Sequence, residues 1–141
     1  MHAARKQGLI LGGTDDPPAT LGANTVNEIA RYRADFAMVP PFGFRWDRWC
    51  DELHPDEIET ARAMFDDARK RVILADYSKV GVVSRVSYCA LVNADCVIVD
   101  VRARQNAMFP QLCSVNPNVV VAWGLRRIER HVRHFLHPQH T

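Results

Sequence analysis

An α/β fold, built as a mainly parallel sheet with flanking helices, is what this sequence predicts, and three observations carry the prediction. Short apolar runs alternate along the chain with segments whose apolar residues recur at spacings of three and four. The runs Val72-Ile-Leu-Ala75 and Cys96-Val-Ile-Val99 contain no polar residue, as expected of strands covered on both faces of a parallel sheet. Polar or glycine-containing turns follow these runs and separate them from the next helical pattern. Such interleaving implies parallel strands joined by right-handed crossovers.

The elements are expected in the following order. A strand at 9–11 leads through a Gly/Asp/Pro turn at 12–18 to a helix over 24–33, with Val26, Ile29 and Ala30 facing inward. A strand at 36–39 and a long loop to His54 come next. His54-Pro55-Asp56-Glu57 reads as a helix start, with proline at the first position and two acids where the helix dipole favours them. Ile58, Ala61, Phe65 and Ala68 form one apolar stripe, so the helix is expected over 55–70, closed by the cations Arg69, Lys70 and Arg71. A strand at 72–75 then ends in Asp76-Tyr-Ser-Lys79, and Gly81 permits a turn that residues with Cβ resist. A connection through Tyr88, a strand at 96–99, a helix near 104–113 and a strand at 119–122 complete the alternation. Beyond it, Leu125, Ile128, Val132 and Phe135 form an apolar stripe among Arg126, Arg127, Arg130 and Arg133. The chain is therefore divided into a domain at 1–123 and a basic amphipathic tail at 124–141, expected to dock on the sheet or on a second subunit, with contact to nucleic acid or an anionic membrane as the alternative.

Composition excludes several classes. Among 141 residues, 48% are apolar and 24% charged, the balance of an ordinary globular domain. A net charge of +2 is too small to predict nucleic-acid binding. No apolar run has bilayer-spanning length and the amino terminus lacks a signal-peptide core, so a cytoplasmic location without a membrane partner is expected. Cys50, Cys89, Cys96 and Cys113 show neither C-x-x-C nor zinc spacing and are read as reduced thiols, with Cys89 and Cys96 as small buried hydrophobes. The histidines at 131, 134, 137 and 140 lack an acidic or thiolate companion, and no metal or cofactor is expected. Dinucleotide, phosphate-loop, nucleophile-elbow and zinc-protease motifs are all lacking from the sequence.

The turn after the strand at 72–75 is the expected ligand site, because open α/β sheets bind at the carboxyl ends of their strands. Lys79 supplies a point charge and three donors for a phosphate, carboxylate or sugar hydroxyl. Glu57 either accepts from ligand hydroxyls or complements the helix dipole. Asp76 shapes the turn through its own backbone contacts or touches the ligand. Gly43 follows the stiff Pro40-Pro41-Phe42, and Arg45, Arg48 and Asp51 add charge to the same loop. Trp46 and Trp49 either stack on a ligand or cap a core or interface.

The segment from Asp35 to Asp100 resembles the carboxyl-terminal sensor domain of the DeoR/GlpR family of bacterial sugar-metabolism repressors. The resemblance lies in Arg33-Ala-Asp-Phe-Ala-Met-Val39, in Glu57 with Arg62-Ala-Met64, in Leu74-Ala-Asp-Tyr-Ser-Lys-Val-Gly81 and in Ala94-Asp-Cys-Val-Ile-Val-Asp100. It implies a Rossmann-like fold similar to sugar-phosphate isomerases and aminosugar-phosphate deaminases, here truncated at its amino terminus. It also implies sensing of a phosphorylated sugar or polyol by a homo-oligomer, with Gly43 in a ligand-facing loop. DNA would be met only through a separate, missing amino-terminal helix-turn-helix. Arg45 stands where the family usually has Asp, and Trp49 where it usually has Gly. No catalytic residue is assigned and no enzyme activity is expected. The alternatives are an isomerase- or deaminase-like enzyme with Glu57 as base and Lys79 as electrophile, or an assembly module that no longer senses.

Overall fold

The computed structural model describes residues 21–44, 49–52 and 54–123. The strand expected at 9–11, the turn at 12–18, Arg45 and the tail at 124–141 lie outside the described residues. The described chain is an α/β fold of the Rossmann-like kind, with a four-stranded parallel sheet as its centre.

That sheet contains β1 (Ala34–Val39), β4 (Ala68–Ala75), β6 (Cys96–Asp100) and β7 (Val119–Ala122), side by side in that order. All three pairings are parallel, from Ala34 opposite Ala68 through to Asp100 opposite Ala122. The two inner strands carry the uninterrupted apolar runs, and Val72, Ile73, Cys96, Val97 and Val99 are buried, because both faces of an inner strand are covered. Strand β1 alternates instead: Ala37 and Val39 are buried while Met38 is half exposed.

Helix α2 (Pro55–Asp66) fills the crossover from β1 to β4. Ile58, Ala61 and Phe65 are its buried residues, and the Phe65 ring packs on Tyr88 with centroids 6.3 Å apart. The helix ends at Asp66, four residues before the expected end. The strand β4 begins at Ala68, so Arg69, Lys70 and Arg71 do not close the helix. Their charges meet acids of neighbouring segments: Arg69 lies 3.7 Å from Asp35 and Lys70 3.6 Å from Asp95. The Arg71 N–H donates to the Asp95 carboxylate at 2.8 Å, and the Asp95 N–H donates to the Arg71 carbonyl at 2.9 Å. Sheet pairing thus outweighs the helix-terminal charge signal.

Helix α1 (Ala23–Ile29) is shorter than expected, and its inward residue is Thr25, whereas Ala30 is exposed. The Thr25 hydroxyl donates to the Leu21 carbonyl one turn back, which satisfies this buried polar group within the helix. The helix expected near 104–113 divides into a 3-10 helix at Val101–Gln105 and α3 (Phe109–Val115). Asn106 joins them: its amide donates to the Val80 carbonyl at 3.0 Å and its carbonyl accepts from the Met108 N–H at 2.9 Å.

A second sheet replaces the expected long loop and the expected plain connection. It is antiparallel, with β3 (Trp49–Glu52) between β2 (Gly43–Phe44) and β5 (Val86–Ala90). The β3–β5 register sets Cys50 opposite Cys89 and shifts just before Asp51, which faces Ser87. The crossover from β4 to β6 therefore contains a strand of this sheet, and no α-helix.

Candidate functional site

Parallel strands end on one side, so Val39, Ala75, Asp100 and Ala122 bring their following turns to the same edge of the sheet. Helix α2 follows β3 and ends just before β4, with Glu57 in its first turn. Glu57 is half-buried there.

Asp76 and Lys79 stand at the centre of the edge. Asp76 caps a 3-10 turn at Tyr77–Lys79, its carboxylate accepting from the Ser78 N–H at 2.7 Å and from the Ser78 hydroxyl. These side-chain and backbone hydrogen bonds hold its carboxyl below the ordinary carboxylate range. Lys79, half-buried, lays its ammonium 5.2 Å from the centroid of the Phe42 ring, in the chain just after β1. Gly81 closes the turn at φ 85°, a left-handed conformation that glycine adopts without steric cost.

The neighbouring strand end contributes a second cluster. The Asp100 carboxylate accepts from the Tyr77 N–H at 3.0 Å, linking the ends of β4 and β6, and from the Arg102 N–H at 2.7 Å. The Arg102 guanidinium reaches the same carboxylate at 3.3 Å and lies 4.1 Å from the Tyr77 ring centroid. Partial desolvation pushes the Asp100 carboxyl up, but the donors from Tyr77 and Arg102 outweigh it and leave it below its ordinary value. Beyond them Arg104 lies 4.8 Å from the Trp123 ring centroid, after β7.

Both carboxylates are ionised when the turn is formed, so their contribution is present above the ordinary carboxylate pKa and disappears as pH falls through the lowered values. In an NMR titration the Ser78 amide should shift with a midpoint below that of a free aspartate. Asp76→Asn should remove the step; a Ser78 midpoint at the free-aspartate value would refute the turn's assigned chemistry.

The other expected site residues do not all gather here. Gly43 begins β2 and is buried, with the Val82 carbonyl so near that a Cβ on Gly43 would lie 2.4 Å from its oxygen. Asp51 is 0% exposed. Its carboxylate accepts from the Ser84 N–H at 2.9 Å and the Ser87 hydroxyl at 2.7 Å, so it braces the chain that follows the Lys79 turn. Gly43 and Asp51 thus support the turn from beneath, while Asp76 and Lys79 form its surface.

A family model described as the DeoR C-terminal sensor domain matches residues 2–101, a span that takes in α1 through β6. The chain belongs to this family. No curated protein matches the sequence. DeoR C-terminal sensor domains are regulatory, and this one is the effector-sensing part of a DeoR-type transcription regulator.

The carboxyl edge of the sheet also carries residues that sequence reasoning did not assign: Phe42, Tyr77, Asp100 and Arg102. Asp100 gave the same signal as Asp76, an acid at the carboxyl end of an apolar run, followed by a cation two residues on where Asp76 has one three residues on. The aromatic partners of the cations could not be found that way, since Phe42 and Lys79 are 37 positions apart and meet only through the β1–β4 pairing. Among the described residues, no group of three His, Cys, Asp or Glu could hold a metal ion, and no helix is long and apolar enough to cross a membrane. This edge presents two cations lying over aromatic rings beside two carboxylates, a set of hydrogen-bond donors and acceptors.

Proposed function

We propose that this domain senses a phosphorylated sugar or polyol at the carboxyl edge of the parallel sheet and that Lys79 contacts the ligand's anionic group. The observation that carries the reading is the position of the Lys79 ammonium, over Phe42 at the ends of adjacent strands in a domain of a sensor family. Glu57 and Asp76 serve the ligand's hydroxyls. Gly43 and Asp51 act from beneath, and Arg45 is a further candidate ligand contact. The sensing unit is taken as 1–123, with 124–141 as an appended basic segment. The regulator works as a cytoplasmic homo-oligomer without catalysis, and ligand alters DNA affinity through a separate helix-turn-helix by favouring one arrangement of the sensor subunits.

A thermal-shift screen of phosphorylated sugars and polyols tests this reading. Ligand at ten times its Kd stabilises the native state by about 1.4 kcal/mol, a rise of several degrees in Tm. The rise should disappear in Lys79→Ala while the Tm without ligand stays close to that of the parent. No shift with any compound from a cooperatively melting protein would refute the reading. Turnover of ribose 5-phosphate or glucosamine 6-phosphate, lost in Glu57→Gln, would replace it with an enzyme.

A further inference from the structure

Two of the four cysteines face each other across the second sheet, and the sensing edge makes no use of them. Cys50 of β3 and Cys89 of β5 are register partners in an antiparallel pair. Directly opposed antiparallel residues have Cα atoms about 4.5 or 5.5 Å apart, and both separations fall within the range of about 4.4–6.8 Å that a disulfide spans. The pairing puts the two thiols close enough for Cys89 to help raise the Cys50 thiol above its ordinary range. We infer that Cys50 and Cys89 form a reversible oxidation site, closing to a cross-strand disulfide when a peroxide reaches the half-buried Cys89.

The two cysteines are suited to different halves of the reaction. Cys50 is 0% exposed, so solvent oxidants do not reach it. Burial, and then the neighbouring Cys89, push its thiol well above the ordinary cysteine range. Cys89 is partly open to solvent and reacts first. Its sulfur attacks hydrogen peroxide, the O–O bond breaks, and Cys89 becomes a sulfenic acid as one water leaves. The Cys50 sulfur then attacks the sulfenic sulfur: the S–S bond forms, the S–O bond breaks, and hydroxide departs as a second water with the proton of Cys50. Two thiols lose two electrons, and one peroxide is reduced to two waters. Because Cys50 must shed a firmly held proton, the second step should quicken as pH rises.

Neither remaining cysteine has such a partner. Cys96 is buried on β6 opposite Val72, with burial raising its thiol to about 11, and Cys113 is exposed on α3. The bond would close a loop of chain containing α2, β4 and the Lys79 turn, next to the Asp51 brace.

The full chain carrying Cys113→Ser, which removes the exposed thiol as a route to links between molecules, is treated with hydrogen peroxide. It is then alkylated in denaturant and mapped by peptide mass spectrometry. The expected product is one intramolecular Cys50–Cys89 peptide, lighter by two hydrogens, with Cys96 alkylated and the bond reversed by dithiothreitol. In Cys50→Ser the sulfenic acid on Cys89 should persist and be captured by dimedone, and in Cys89→Ser no link should form. Cys89 advancing to sulfinic acid while Cys50 stays alkylatable would overturn the inference, as would a link through Cys96 or no oxidation at either residue. None of these readouts depends on the effector.

Discussion

Asp51→Ala is expected to destabilise the domain by about 3–5 kcal/mol, read as a lowered urea midpoint with an unchanged slope. The carboxylate is fully buried, and its donors include the Ser84 N–H and the Ser87 hydroxyl. Hydrogen bonds to a charged group contribute about 1.5–3 kcal/mol each, and their loss leaves buried donors unsatisfied. Domains of this size have a net stability of about 5–15 kcal/mol, so this one side chain decides whether the second sheet stays attached. Asp51→Asn should cost less, because the amide oxygen still accepts from a donor. A loss under 1 kcal/mol for Asp51→Ala would show that the brace is not structural.

Gly43→Ala is expected to cost about 1–3 kcal/mol and to displace the chain after the Lys79 turn. The added Cβ would lie 2.4 Å from the Val82 carbonyl oxygen and 2.8 Å from the Val82 Cβ. Carbonyl backbone cannot rotate away as a flexible side chain can, so residue 82 must move, and with it Gly81 and Lys79. The Val82 N–H donates to the Lys79 carbonyl at 3.4 Å, which carries the displacement into the turn. The variant should therefore weaken any Lys79-dependent ligand binding as well as lower Tm, whereas Asp51→Asn should mainly lower Tm. Unchanged Tm and binding in Gly43→Ala would refute the tight seat of Gly43 on residue 82.

The parallel sheet was legible because burial on both faces writes itself into adjacent residues. Val72-Ile-Leu-Ala75 and Cys96-Val-Ile-Val99 need no distant information to be recognised as inner strands. The Asp76 turn was legible for a similar reason, since its cap bonds reach only two residues along the chain. The second sheet was not, because β2 has two residues and β3 carries an acid whose burial makes sense only once Ser84 and Ser87 are in place. The start of β4 was misread as helix because Arg69-Lys70-Arg71 suits a helix end locally, while its partners Asp35 and Asp95 come from elsewhere. At the carboxyl edge, the place of Lys79 after a strand was legible, but its contact with Phe42 needed the sheet.

The strand order of the parallel sheet follows the order of the chain, so each new strand adds beside the last as the protein is synthesised. The second sheet breaks that sequence, since β3 is made before β4 but pairs with β5, made after it. Asp51 must wait for Ser87, which lies 36 residues later. At a ribosomal pace of about 5–20 residues per second, the Ser87 hydroxyl follows the carboxylate by about two to seven seconds. Its charge keeps the nascent β3 edge in water for that interval, when an apolar residue in its place would leave an adhesive strand exposed to other chains.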